Sequence, residues 1–350
     1  MTALAPRRLL PMLSDLPPAP SNPHSGSPAR APGSVRRTGH WNMTWPDGLT
    51  GGMHIHAAGR DLVTGVDGST REVGDAGMHV LVDGTRILRS LSMTPPREDV
   101  LELVGEGGGS GYRRRLQALI PDEMAAGTLP YFLLDDMPGV TLVGPFAWRL
   151  WPVGLEMMTR GLRHPGPGYD MTGICAGFRA DGLPVQRMNR GEDPQHNLVP
   201  AFDLAEPSDP LAWHDVPDAP GDSPMLRRRR RIDVSDGPEV VVDSLFRDSM
   251  WSPEGVETVV HEYGVHAVVD RDSMRLTSIT ADPRVLPFQT CPAAAANVDL
   301  LLGEPMGTLR HRVLEQIVST DGCTHLNDAL RALAEVPVLF GELSSTESLV

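Results

Sequence analysis

Gly77-Met-His-Val-Leu-Val-Asp83 and Gly264-Val-His-Ala-Val-Val-Asp270 are the two stretches on which the fold turns. Slid against itself, the chain places position 77 on 264 and, at the same offset, Arg60-Asp61 on Arg247-Asp248. Each stretch is an apolar run of strand length, followed at hairpin distance by a second run, Arg86–Met93 in one and Met274–Thr280 in the other. Both continue to a proline (Thr94-Pro95-Pro96; Asp282-Pro283) and then to a helical stretch carrying arginine, Tyr112–Ile120 or Thr308–Val318. Both close on a glycine step, Gly127-Thr128 or Gly322-Cys323, ahead of an apolar segment. Matched order over this length points to an internal duplication. Strands followed by helices imply an α+β fold of two pseudo-equivalent modules, residues 35–140 and 226–345, the first a degenerate copy. In the second, Leu309, Val313, Leu314 and Ile317 share one helical face, and Leu326, Leu330 and Leu333 share another, which Pro337 is expected to stop.

The composition bounds the chemistry. A chain of 350 residues is expected to form two domains, and its 36 glycines and 33 prolines demand abundant loops. All 31 basic residues are arginine. With no lysine, Schiff-base chemistry, lysine-anchored pyridoxal phosphate and a P-loop are excluded, and no nucleotide motif is present. A net charge of −14 opposes nucleic-acid binding. Three widely spaced cysteines form no disulfide framework, which places the chain in a reducing cytoplasm. No apolar run is long enough for a membrane span. Residues 1–34, with eight prolines, are expected to be disordered; the apolar run after Arg7-Arg8 breaks at Pro11, too early for a secretory signal. The Pro/Gly-rich segment 141–225 is expected to pack over the modules and to cover or complete a site between them.

His261, Cys291, Cys323 and His325 form the leading constellation. Two thiolates at helix starts with two imidazoles suit zinc or iron; the alternatives are plain packing, or a metal-free Cys323 thiol activated by His325. Asp248 and Arg247 join Cys323 and His325 as catalytic candidates, and the recurring Arg60 and Arg247 are candidate grips for a substrate carboxylate or phosphate, with a structural ion pair as the alternative. Asp135-Asp136 could bind a divalent ion or divide acid and base roles. Gly105–Gly111 leads into Arg113, Arg114 and Arg115, an anion site or a flexible loop. Arg227 to Arg231 reads as the exposed start of a strand or a salt-bridged linker. His54-x-His56 reads as a loop, and Cys175 as a buried small residue.

Arg231, Arg247-Asp248, the strand pair Val265–Thr280, Cys291-Pro292-Ala293 and Gly322-Cys323-Thr324-His325-Leu326 resemble the bacterial domain-of-unknown-function family 2889, from which no activity carries over. More weakly, the layout is similar to U-type iron–sulfur assembly scaffolds, in which three cysteines and an aspartate or histidine hold zinc or a cluster. Cys291 and Cys323 match two of those cysteines, while His261 and Glu262 occupy the neighbourhood of the first. The expectation is a cytosolic enzyme acting on a small, anionic or aromatic-acid metabolite by lyase, hydrolase or isomerase chemistry, with zinc or iron. The alternative is a non-catalytic metal-binding or protein-interaction scaffold.

Overall fold

Strand formation in this chain follows its β-branched and aromatic residues, and the alternation of a strand then sorts each side chain to one of two faces. The computed structural model describes residues 16–48, 50–109, 111–159 and 171–344. Nine strands form one antiparallel sheet: β1 (Ser34–Thr44), β2 (Met53–Thr64), β3 (Thr70–Val82), β4 (Leu88–Thr94), β5 (Val199–Pro200), β6 (Met225–Ser235), β7 (Val240–Trp251), β8 (Glu257–Val269) and β9 (Leu276–Val285). Their order is β4-β3-β2-β1-β6-β7-β8, and the outer edge of β8 is shared by β5 and β9. The fold is therefore α+β.

The four strands β1–β4 form one meander and β6–β9 another, and β1 pairs with β6 along its whole length. Val80 lies between Ile55 and Leu91 in the first, and Ala267 between Val242 and Ile279 in the second. Because the meanders share a sheet, one hydrophobic core runs behind both, from Val35 through Phe246 to Phe340. The two-domain expectation is corrected accordingly: modules joined strand to strand have no separate cores.

Helices cover one face. The helix Leu129–Asp135 lies on β2 and β3, Thr324–Ala332 lies on β7 and β8, and Val336–Ser344 returns to β1 and β6. Pro337 starts that last helix instead of stopping the one before it, since a first-turn proline forfeits no helical hydrogen bond. The opposite face is covered by the N-terminal segment and by residues from the connecting segment. Asn22 donates to the Arg284 carbonyl, Gly26 to Asp203, and the Trp213 indole to Ser27 and Leu204. The expected disorder of residues 1–34 fails for 16–34, whose backbone is held against the sheet; residues 1–15 lie outside the described residues.

The five-arginine run is the centre of the sheet. Arg227, Arg228, Arg230 and Arg231 are all buried in β6, so neither an exposed start nor a linker describes them. Alternation sends Arg228 and Arg230 towards the helices, where Asp248, Asp136 and Asp328 neutralise them. Arg227 and Arg231 turn to the other face, to Asn42 and to Asp233 and Asp243. Between sheet and helices, six arginines (37, 113, 228, 230, 310, 331) face six carboxylates (Asp61, Asp135, Asp136, Asp248, Asp328, Glu335). Buried charge on this scale is tolerable only when paired and hydrogen-bonded in this way. Asp135 and Asp136 belong to this layer: Arg310 and Arg331 hold the first, Arg230 and Arg228 the second.

Candidate functional site

On β7, Phe246 and Asp248 face the helices and Arg247 faces away. Their partners on β8 follow suit, so His261 stands opposite Asp248 and Tyr263 opposite Phe246. A bulge directly after Asp248 breaks the ladder at this point, a device that re-aims side chains. Arg228, opposite Asp248 on β6, grips its carboxylate with two parallel bonds of 2.8 and 3.1 Å. The fourth side chain comes from a helix start: Cys323 is the cap of Thr324–Ala332, and His325 lies in its first turn.

His261 Nδ1 and His325 Nε2 each lie 3.6 Å from Asp248 Oδ2, and the two rings stack at 3.5 Å. His261 Nδ1 is buried and makes no hydrogen bond. Burial and the neighbouring His261 push the His325 imidazole well below its usual range, so it is neutral and offers a lone pair. Burial alone would raise the Asp248 carboxyl; the Arg228 charge and its paired hydrogen bonds, with His261 and His325 close by, outweigh burial and hold it well below the usual range. Asp248, His261 and His325 are the one set among the described residues whose metal-ligating atoms all lie within 4.8 Å of one another.

The expected ligand set of His261, Cys291, Cys323 and His325 is thus redrawn. Cys323 remains beside it, its Sγ 3.9 Å from His325 Nδ1, but Cys291 stands outside. Burial raises the Cys323 thiol, against the Tyr263 hydroxyl and the amides of Leu326 and His325, which lower it. Burial and the thiols of Cys323 and Cys175 push Cys291 well up; burial and then Cys323 push Cys175 up to about 12. All three cysteines are buried and unbridged, and they meet behind Tyr263. Cys175 therefore joins the other two, although its sequence context shows only a small residue.

Arg247, expected as a catalytic and substrate-binding residue, is corrected. It is fully buried on the other face of the sheet, pairing with Glu262 and donating to the carbonyls of Phe202 and His24. Arg60 lies on that same face and donates to the Leu211 carbonyl. Neither touches Asp248 or the histidines. His54 and His56 lie on β2, not in a loop.

A cavity of about 590 Å³ is lined by His196, Phe288, Thr290 and neutral polar groups including Gln186, Asn197 and Gln289; of these, His196 interacts with His261 of the cluster. His196 packs between Phe146 and Phe288 and leaves its Nδ1 without a partner. Burial, then Arg149 and His261, push its imidazole down to about 3. An isolated histidine in Pro194-Gln-His-Asn197 carries no sequence signal, and only the fold brings it to His261.

The first meander lacks this donor set. Arg37 and Asp61 repeat the Arg228–Asp248 pair, but Gly74 stands opposite Asp61, and a Cβ there would touch Leu129 and Asp61. Residues 226–339, which span β6–β9 and the helices behind them, match the model of a family described as protein of unknown function (DUF2889). No curated protein and no solved structure matches the chain.

Proposed function

We propose that this protein is an enzyme in which Asp248, His261 and His325 hold one divalent ion, iron(II) or zinc, and act on a small polar metabolite reaching it past His196. The observation that carries this reading is the 3.6 Å spacing of both imidazole nitrogens from Asp248 Oδ2. That distance is too long for a hydrogen bond. It matches the edge of a tetrahedron with ligands near 2.1 Å, which is about 3.4 Å. Two histidines and one carboxylate are also the donors of non-haem iron sites with open positions. A neutral His325 and an ionised Asp248 are the protonation states a metal requires. Such an ion polarises a carbonyl or activates water, the chemistry of hydrolases, lyases and isomerases, with no nucleotide or lysine. Arg228 would orient Asp248 from behind.

We read β1–β4 and β6–β9 as copies of one ancestral module, the first having lost its ligands at Gly74; the repeated arginine–aspartate pair supports this. Three unbridged thiols support a reducing compartment such as the cytoplasm.

Elemental analysis of untagged protein tests the metal. The expected result is close to one equivalent of iron or zinc, a melting temperature lowered by chelator, and loss of both in His325→Ala but not in Cys175→Ser. Less than about a tenth of an equivalent, with a melt indifferent to chelator, would overturn it. In that event the line Asp248–His325–Cys323, at 3.6 and 3.9 Å, favours a second reading: a thiol nucleophile with its base and orienting acid. A metal retained without turnover of any metabolite would instead favour the scaffold reading.

A further inference from the structure

The glycine-rich loop ahead of Arg113 is not a flexible surface loop. Gly107 pairs with Ile87, Gly108 donates to the Arg86 carbonyl at 2.6 Å, and the Thr141 hydroxyl donates back to Gly108. Ser110 lies outside the described residues. What this pinned loop builds is one wall of a second cavity, of about 360 Å³, on the helical side of the protein.

Gly109 and Gly111 line the cavity at the start of the helix Tyr112–Leu119, facing helix residues Arg310 and Leu314. Four arginines line it, Arg113, Arg114, Arg310 and Arg331, and no aspartate or glutamate does. Their counter-charges Asp135, Asp328 and Glu335 all lie behind the wall. Arg331 is 3% exposed and keeps its Nε without a partner, although its other nitrogens bind Asp135 and the Arg310 carbonyl. Arg114 is exposed and has no ion-pair partner among the described residues. Met124, Leu314 and the Tyr131 ring supply an apolar flank.

We propose that this cavity binds the oxyanion group, phosphate or carboxylate, of a small organic ligand, at a site separate from Asp248, His261 and His325. A positive, partly enclosed wall on a chain of net charge −14 concentrates field where the rest of the surface repels anions. Arginine forks match planar and tetrahedral oxyanions, and the first-turn amides of a helix behind a glycine loop add donors. The unpartnered Nε of Arg331 is the group an oxyanion would satisfy. The apolar flank admits an organic body behind the charge.

Thermal melts of the full chain in sodium phosphate and in sodium benzoate, against sodium chloride at matched ionic strength, test the proposal. The expected result is a saturable rise in melting temperature with at least one of the two. Phosphate alone identifies a phosphorylated ligand; benzoate alone identifies a carboxylic acid. Arg114→Gln is expected to weaken the response roughly tenfold, the loss of one charge-assisted contact. Arg312→Gln, an exposed arginine outside the cavity, is expected to leave it unchanged. The response is expected to persist in chelator, so it stands or falls apart from the metal reading. No response beyond chloride, or equal responses in wild type and Arg114→Gln, would overturn it.

Discussion

Replacing Asp248 by asparagine removes one charge and almost no volume from the middle of the sheet. Arg228 is fully buried, and its two closest acceptors are the Asp248 oxygens at 2.8 and 3.1 Å. At an effective dielectric near 20, a full charge pair at 2.8 Å interacts by about 6 kcal/mol, which bounds the loss from above. Asp136 and Asp328 still face Arg228 Nη1 at 3.5 and 3.4 Å, and the asparagine oxygen keeps one hydrogen bond, so part of that figure survives. The expected cost is about 3–5 kcal/mol, the range for breaking a buried pair by removing one partner. Urea unfolding in the presence of chelator measures this cost without any contribution from bound metal. The midpoint should fall sharply while the slope stays unchanged. Asp243→Asn serves as control, because Asp243 is partly exposed and its pairs with Arg231 and His266 are screened; its loss should stay within about 1 kcal/mol. If Asp248→Asn costs no more than Asp243→Asn, the Arg228–Asp248 pair does not hold the buried layer together.

The pH dependence follows from imidazoles held neutral on the opposite face. Burial first, then His214 and Arg227, push His40 down to about 2; burial first, then Arg60 and Arg229, push His214 down to about 3. Both folded values lie below the unfolded value near 6.5, so as pH falls below it the unfolded chain takes up protons that the folded one refuses. Their contribution is complete above about pH 6.5 and is lost towards acid, by up to about 1.4 kcal/mol per pH unit per imidazole. Urea midpoints at pH 7 and pH 5 check it, and equal midpoints would contradict it. Gly139→Ala places a Cβ on Asp328 Oδ2 and Arg228 Nη1 and should cost about 1–3 kcal/mol; a melt unchanged from wild type would mean that the pair moves freely.

Local sequence determined much of this protein. The hairpins at Met78–Met93 and Val265–Thr280, the helices near Tyr112 and Leu309 and the α+β class follow from apolar periodicity, which neighbouring residues settle among themselves. The placing of Cys323 and His325 together at a helix start was legible from their two-residue spacing, whereas His261 meets them only through the fold. Tertiary structure alone decided the rest. Arg227 to Arg231 read as surface because, apart from Asp233 for Arg231, their carboxylates are not local: Asp243 and Asp248 arrive from β7, and Asp136 and Asp328 from the helical layer. Arg247 and Asp248 are adjacent in sequence, yet the two-residue period of a strand sends one to Glu262 and the other to the histidines. The fold also brings His196 near His261 and leaves Cys291 outside the cluster of Asp248, His261 and His325, since side chains far apart in sequence meet only in space, which no spacing along the chain encodes.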